Sequence, residues 1–263
     1  MGRGPGKLFD TGIVEALERS GAKVWIAEAA LPPENFQSEI ASAFALQAFV
    51  AERVADAKRR GSFPIVLSGN CNTAVGTVAG LTSVTGSAPA VVWLDAHADF
   101  NTPETTTSGF LDGMAVAMLT GRCWKSMTST VPGFTPVNDS RIAMIGVRDI
   151  DPLEERSIEG SGVARFGVDF DDSDFDVLLH DAPQVYLHID LDVFDVSEGR
   201  ANGYALPGGL TRDRFMSLAS HLRKNSSIGA MALTAYDPSC DPDNRIARLA
   251  IDIAVALSAG TSD

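Results

Sequence analysis

Short apolar runs recur along the chain and alternate with longer amphipathic stretches. Five runs are short, apolar and partly β-branched, as buried strands are, namely Phe63–Leu67, Pro89–Leu94, Arg141–Ile145, Val185–Ile189 and Ile228–Leu233. Four stretches repeat their apolar residues with the period of an amphipathic helix, namely Ser42–Arg60, Asp112–Leu119, Arg212–Lys224 and Asn244–Leu257. This alternation predicts an α/β protein in which helices cover both faces of a parallel sheet.

The length and composition of the chain favour one domain. Its 263 residues are 45% hydrophobic, which is enough for a single large core. No internal repeat or linker interrupts residues 1–263, and the Ser-, Thr- and Pro-rich stretch Lys125–Asp139 is typical of a polar loop. We therefore predict a single domain.

The charge of the chain narrows the range of partners. A formal net charge of −13 argues against nucleic acid or an anionic membrane and is compatible with a small cationic substrate. No apolar run is long enough to span a membrane, and the first residues lack the apolar stretch of a signal peptide. Cys71, Cys123 and Cys240 have neither the spacing of a disulfide framework nor that of a zinc cluster. These features predict a reduced, cytoplasmic protein.

Two acidic segments follow predicted strands, Asp95-Ala96-His97-Ala98-Asp99 and Asp190-Leu191-Asp192. Alternate residues share one face of an extended chain, and the carboxyl ends of strands are where α/β sheets bind ligands. Four carboxylates and one imidazole in one pocket would repel each other unless divalent cations lay among them. This ligand set suits Mn²⁺ or a neighbouring metal, and two ions fit it better than one. The alternative is structural, because an Asp at a strand end often caps a helix or closes a turn.

The stretch Trp93–Met114 closely resembles the signature of the arginase family, the ureohydrolases, in which Asp-Ala-His-x-Asp-x-Asn-Thr-Pro precedes x-Thr-Thr-Thr-Ser-Gly. Ser68–Asn72, Ile145–Pro152 and His188–Asp192 resemble further family motifs in the expected order. The resemblance implies a three-layer α/β/α domain with a mostly eight-stranded parallel sheet, and a homo-oligomer, commonly a trimer or hexamer. Met1–Pro5 looks like the segment after the family's first strand, and a chain shortened there would lack an interior strand.

The resemblance also implies a binuclear metal centre. Its two ligand sets would be Cys71, Asp95, Asp99 and Asp190 for one ion, and Asp95, His97, Asp190 and Asp192 for the other. The family's chemistry is attack of a metal-activated hydroxide on a guanidino or amidino carbon, because two cations lower the pKa of a shared water. Asp99 resembles the carboxylate that passes a proton to the leaving amine.

A polar loop carries the implied substrate contacts. By resemblance, Asn101, Thr106 and Ser108 would bind an α-carboxylate, Asp151 would bind an α-ammonium group, and Glu154 would be a further acidic helper. Neutral donors suit an anion and a carboxylate suits a cation, so we expect a small cationic amino acid as substrate. The alternative is an ordinary turn, in which Ser and Thr are common.

Cys71 departs from the family, which has a histidine ligand at this position. A thiolate would favour Zn²⁺, Fe²⁺ or Co²⁺ over Mn²⁺, whereas a protonated thiol would leave one ion loosely held. The remaining alternative is a buried, inert cysteine. The exchange of His for Cys also resembles a sub-branch that hydrolyses N-hydroxy-arginine.

Two further positions depart from the pattern. Asp112 stands where arginases have a proton-shuttling histidine, although the Asp112-Gly113 pair is equally typical of a turn that begins a helix. Ala235 stands where the family has a glutamate that contacts the guanidinium, and losing that bond would cost roughly 2–3 kcal/mol of recognition. Either Tyr236 or Asp237 compensates, or the substrate is not a simple guanidine.

Together these observations predict a hydrolase with two divalent ions, Mn²⁺ by default. It would cleave a guanidino or formimino C–N bond of an amino acid, arginine or N-hydroxy-arginine, and release urea or a related product. The alternative is a catalytically silent relative that binds an amino acid or a partner protein. Cys71, Asp112 and Ala235 favour that alternative, and the intact carboxylate and imidazole ligands oppose it.

Overall fold

The computed structural model describes residues 1–28, 38–180 and 182–258. Its centre is a parallel sheet of six strands, in the order β1-β6-β5-β2-β3-β4. The strands are β1 Ile65–Leu67, β2 Ala90–Leu94, β3 Ile142–Ile145, β4 Ala164–Phe166, β5 Val185–Asp190 and β6 Ile228–Thr234. All five strands predicted from the apolar runs are present, so the α/β class is confirmed.

Helices cover both faces of the sheet. The α-helices are α1 Gly4–Thr11, α2 Ile13–Arg19, α3 Glu39–Arg59, α4 Ala74–Thr85, α5 Ala115–Leu119, α6 Lys125–Thr128, α7 Pro152–Glu159, α8 Asp176–His180, α9 Arg212–Asn225 and α10 Arg245–Ser258. Side-chain caps explain several of their starts, since Ser38 accepts from the backbone N–H of Ala41 at α3 and Thr211 accepts from that of Arg214 at α9. Among the described helices, none is long and apolar enough to cross a membrane.

Alternate strand residues face two separate cores. Leu94, Leu187 and Leu233 pack with α1, α2, α9 and α10 on one face of the sheet. Trp93 and Tyr186 pack with α3, α4 and α5 on the other. Because the strands β2, β3, β5 and β6 are buried on both sides, the centre of the sheet lies between two helical layers, which confirms the three-layer arrangement.

The sheet has six strands where the resemblance implied mostly eight. Ala22–Glu28 belongs to no helix or strand, although Ala22 and Val24 pack against the core. β1 pairs with β6, and within the described residues no strand precedes it or lies on its other side. A strand is defined by its hydrogen-bonding partner, so this segment stays irregular without one. Residues 29–37 lie outside the description.

The sequence did not predict β4 and α4, because the local sequence signals for these two elements are weak. β4 has only three residues and includes Arg165, so it lacks an apolar run. α4 contains Gly76 and Gly80, which are poor helix formers but let α3 approach closely. A Cβ on Gly80 would lie 2.6 Å from the carbonyl oxygen of Ala51.

Two predicted segments differ in detail from the structure. The helix expected over Asp112–Leu119 begins as a 3-10 turn, Asp112–Met114, which continues into α5. The expected polar loop Lys125–Asp139 contains α6 and buries Val131 and Val137. Apolar side chains within a stretch rich in Ser, Thr and Pro therefore anchor this loop to the core.

Candidate metal centre

The acidic segments meet at the carboxyl edge of the sheet. Asp95 directly follows β2, and Asp190 is the last residue of the neighbouring strand β5. One oxygen of each carboxylate closes a local turn, because Asp95 accepts from the backbone N–H of His97 and Asp190 accepts from that of Asp192, both at 2.8 Å. The aspartates therefore close turns, as the structural alternative supposed. These turns also hold the two carboxylates in place at the site.

Potential metal ligands form two overlapping groups among the described residues. One ligand atom from each of Cys71, Asp95 and Asp99 lies within 4.8 Å of the others, and the same holds for Asp95, His97 and Asp192. Asp95 belongs to both groups. Asp190 joins the first group through its Oδ2 atom, which accepts a hydrogen bond from the Cys71 thiol at 3.0 Å. The six residues predicted to bind metal are thus brought together.

The electrostatics of this cluster suit bound cations. Burial, reinforced by the charge of Asp192, raises the pKa of Asp95 to about 7. Burial and neighbouring carboxylates also raise the pKa values of Asp99 and Asp190 well above their usual range. Burial, the largest single effect, disfavours a charged His97, but the hydrogen bond to Asp95 and the charges of Asp95, Asp192 and Asp149 together outweigh it and raise the pKa of His97 to about 9. The site therefore contains more negative charge than its own cation balances, and divalent ions fit the chemistry of its donors.

Cys71 lies at the base of the cluster. It begins a 3-10 turn after β1 and is 2% exposed. Burial, with Asp190 the leading electrostatic contributor, raises the pKa of its thiol well above the usual value. A metal ion would have to displace that proton in order to use the sulfur as a ligand.

Asp112 supports the turn that carries Cys71. Its Oδ1 atom accepts a hydrogen bond from the backbone N–H of Asn72 at 2.9 Å, and its side chain also lines the cleft. Burial raises its pKa to about 6 in spite of that hydrogen bond. Asp112 thus begins a 3-10 turn, as the structural alternative supposed, and also faces the cleft.

The predicted substrate residues divide into two sets. Asn101, Asp151 and Glu154 line the cleft, and the amide of Asn101 donates to Asp151 at 3.2 Å. Thr106 and Ser108 instead accept hydrogen bonds from the backbone N–H groups of Gly109 and Phe110, within their own loop.

Glu154 also has a structural role. Its two oxygens accept from the backbone N–H groups of Phe100, at 2.7 Å, and Asp151, at 3.2 Å. It forms a capping box with Asp151 at the start of α7. The carboxylate therefore connects the turn after β2, which carries the candidate metal ligands, to the helix beside the cleft.

Sequence reasoning missed several residues of the cleft. Asn202 is buried, and its amide donates to Asp192 at 3.0 Å and to the carbonyl of Ala235 at 2.9 Å. Phe110 and Tyr204 are exposed at the cleft. The rings of Tyr204 and His97 lie in an edge-to-face arrangement. Asn202 and Tyr204 follow Asp192 in a loop whose path no local pattern specifies.

Comparisons of the sequence and the fold with known proteins point to one family. The model of the arginase family matches residues 28–259. The arginase of Brucella suis biovar 1 is 30% identical over 97% of this chain and 89% of its own length, and the hepatic arginase of Aquarana catesbeiana is 31% identical over 79% and 68%. The crystal structure of Bacillus cereus arginase superposes with a TM-score of 0.89 at 26% identity, covering 98% of this chain and 92% of that one. Formimidoylglutamase from Bacillus subtilis, at 15% identity and a TM-score of 0.71, shares the fold. The chain belongs to the arginase family.

Proposed function

We propose that the protein is a binuclear metal-dependent amidinohydrolase that cleaves the guanidino C–N bond of a cationic amino acid and releases urea or a related product. Arginine is the first candidate substrate and N-hydroxy-arginine the second. The observation that carries the proposal is the position of Asp95, which belongs to both groups of converging metal ligands. Two ions held there would lower the pKa of a shared water and so supply a nucleophile at neutral pH.

The chain's own residues supply the remaining chemistry. Asp99 is buried among the potential ligands and lines the cleft, a position that suits a group that takes a proton and returns it to the leaving amine. Asp112 lines the same cleft, and its pKa of about 6 would let it exchange protons near neutral pH. We assign proton transfer to Asp99 and a supporting role to Asp112.

Substrate recognition rests on the acidic side of the cleft. Asp149, Asp151 and Glu154 line it and would attract the cationic groups of an amino acid. The loop that contains Asn101, Thr106 and Ser108 offers neutral donors for the α-carboxylate. Ala235, which also lines the cleft, leaves the guanidinium without the carboxylate expected there.

Metal identity follows from the same ligand sets. Oxygen ligands and one imidazole favour Mn²⁺, while a Cys71 thiolate would shift one position towards Zn²⁺, Fe²⁺ or Co²⁺. A homo-oligomer and a cytoplasmic location remain expectations from the family resemblance. The silent-relative alternative is not favoured, because the ligands converge as hydrolysis requires.

Release of the cleavage product tests the proposal. That product is urea from arginine or agmatine, hydroxyurea from N-hydroxy-arginine and formamide from formiminoglutamate. Protein loaded separately with Mn²⁺, Zn²⁺, Fe²⁺ or Co²⁺ would be given arginine, N-hydroxy-arginine, formiminoglutamate and agmatine, which lacks the α-carboxylate. We expect turnover of at least one amino acid, weaker turnover of agmatine, and loss of activity in Asp95→Asn. The proposal fails if the metal-loaded protein turns over none of these compounds.

A further inference from the structure

A line of polar side chains runs from Cys71 into the core of the sheet. The Cys71 Sγ atom lies 3.2 Å from the Thr234 hydroxyl, which lies 3.2 Å from Nε2 of His188. Nδ1 of His188 in turn lies 2.8 Å from the Tyr186 hydroxyl. Thr234, His188 and Tyr186 are all fully buried. Such groups are costly in an apolar layer unless they bond one another, so this hydrogen-bonded line requires an explanation beyond packing.

The line is held rigidly at its centre. The His188 ring stacks on Trp93 with centroids 3.6 Å apart and planes 2° from parallel. The indole N–H of Trp93 donates to Asp95 at 3.2 Å, so the stack also contacts a predicted metal ligand. Sheet register places Thr234 opposite Asp190 on the adjacent strand. Both ring nitrogens of His188 are hydrogen-bonded and the stack on Trp93 restrains the ring. His188 therefore holds the Thr234 hydroxyl in a fixed position next to the Cys71 sulfur.

We propose that Thr234 is a positioning residue that donates a hydrogen bond to the metal-bound sulfur of Cys71, with His188 and Tyr186 fixing its hydroxyl. This inference rests on the proposed function, because it requires Cys71 to bind one of the ions. A sulfur bound to a metal has lost its proton and can only accept hydrogen bonds. The bond that the Cys71 thiol donates to Asp190 is then lost, and Thr234 is the donor in reach. When the Tyr186 hydroxyl donates to Nδ1, the neutral His188 ring carries its proton on Nε2 and donates to the Thr234 hydroxyl. The carbonyl of Ile189, another acceptor near that hydroxyl, is farther away than the sulfur, at 3.4 Å.

The consequence is that this hydrogen bond adjusts how strongly the Cys71 thiolate binds its metal ion. A hydrogen bond to a metal-bound sulfur withdraws charge from it and fixes the direction of its lone pairs, and loss of such an outer contact typically lowers metal affinity about 10- to 100-fold. The chain Tyr186–His188–Thr234 would thus decide how strongly Cys71 holds its ion.

Two substitutions at one position separate this role from packing. Thr234→Val keeps the branched shape and removes the hydroxyl, whereas Thr234→Ser keeps the hydroxyl. Cobalt-loaded protein would be examined for its thiolate-to-Co²⁺ absorption band, and Co²⁺ affinity would be measured by competition with a chromophoric chelator. We expect Thr234→Val to shift the band and weaken affinity about 10- to 100-fold, and Thr234→Ser to retain both.

Matched controls complete the experiment. Thr82→Val removes a buried hydroxyl on α4 that bonds the carbonyl of Val78, and it should leave band and affinity unchanged. Tyr186→Phe removes the far end of the line without entering the cleft, and it should shift the band in the same direction by a smaller amount. It also provides the test if Thr234→Val does not fold.

Three results would overturn the inference. The first is an unchanged band and affinity in Thr234→Val, or in Tyr186→Phe if Thr234→Val does not fold. The second is an equal loss of affinity in Thr234→Val and Thr234→Ser. The third is a wild-type cobalt protein that has no thiolate band. Urea release by the manganese-loaded wild type reports on the proposed function separately, so the two failures are distinguishable.

Discussion

Replacing Asn202 with alanine should weaken both metal binding and the fold, by amounts that its contacts allow us to estimate. Asn202 is 1% exposed, and its amide nitrogen donates to the carboxylate of Asp192 and to the carbonyl of Ala235. Its oxygen accepts from the backbone N–H of Tyr204 at 2.8 Å. One side chain therefore joins a predicted metal ligand to two loops that border the cleft.

The magnitude follows from these three bonds. Each neutral bond contributes about 1 kcal/mol and the bond to the carboxylate about 1.5–3 kcal/mol. We therefore expect the metal-free variant to lose roughly 3.5–5 kcal/mol of unfolding free energy. Because Asp192 also loses one of the donors that orient it, the dissociation constant of the bound metal should rise about 10- to 100-fold.

Two measurements check this prediction. Guanidinium unfolding in the presence of a chelator gives the stability of the metal-free protein, and competition with a chromophoric chelator gives the metal affinity. Asn225→Ala, at an exposed asparagine near the end of α9, is the control and should change neither quantity. The reasoning is refuted if Asn202→Ala destabilises the fold but binds metal within twofold of the wild type.

Three further predictions address substrate, pH and surface charge. Ala235→Glu would restore a carboxylate in the cleft and should raise kcat/KM for arginine about 30- to 150-fold, the equivalent of about 2–3 kcal/mol; urea release measures this, and an unchanged value contradicts it. Burial raises the pKa of Asp95 to about 7, so the contribution of Asp95 to the stability of the metal-free protein should be complete below its ordinary pKa of about 4 and be lost as pH rises through 7. Thermal unfolding should accordingly show a larger metal-induced rise in Tm at pH 8 than at pH 5, and equal rises would count against the raised pKa. Asp139→Asn breaks a two-bond pair with Arg122, and because both side chains are about a quarter exposed it should cost only about 1 kcal/mol in denaturant unfolding. A loss several times larger would show that the pair is less screened than its exposure implies.

The sequence predicted most of the site because its signals are local. Asp95 and Asp190 each end an apolar run, and strand ends in a parallel sheet meet at one edge, so their convergence follows from pattern alone. The place of Cys71 came from the family resemblance, since a lone cysteine after a strand predicts nothing by itself.

What the sequence did not predict depends on distant contacts. Cys71 and Thr234 lie 163 residues apart, and no periodicity relates them. Among the described residues the sheet has six strands and not mostly eight, in part because strand formation by Ala22–Glu28 depends on a neighbouring strand and not on the composition of the segment. A local pattern fixes which face of an element is apolar, but it does not fix what lies against that face.

Trp93 would make ion binding at the candidate metal centre optically observable without any label. It is fully buried, its indole contacts Asp95 and its ring lies flat on His188, whereas Trp25 is 69% exposed. A water-soluble quencher such as acrylamide would remove the emission of Trp25 and spare that of Trp93. The intrinsic fluorescence that remains contains the signal of an indole in contact with a predicted ligand, so ion loading can be followed in the unmodified protein.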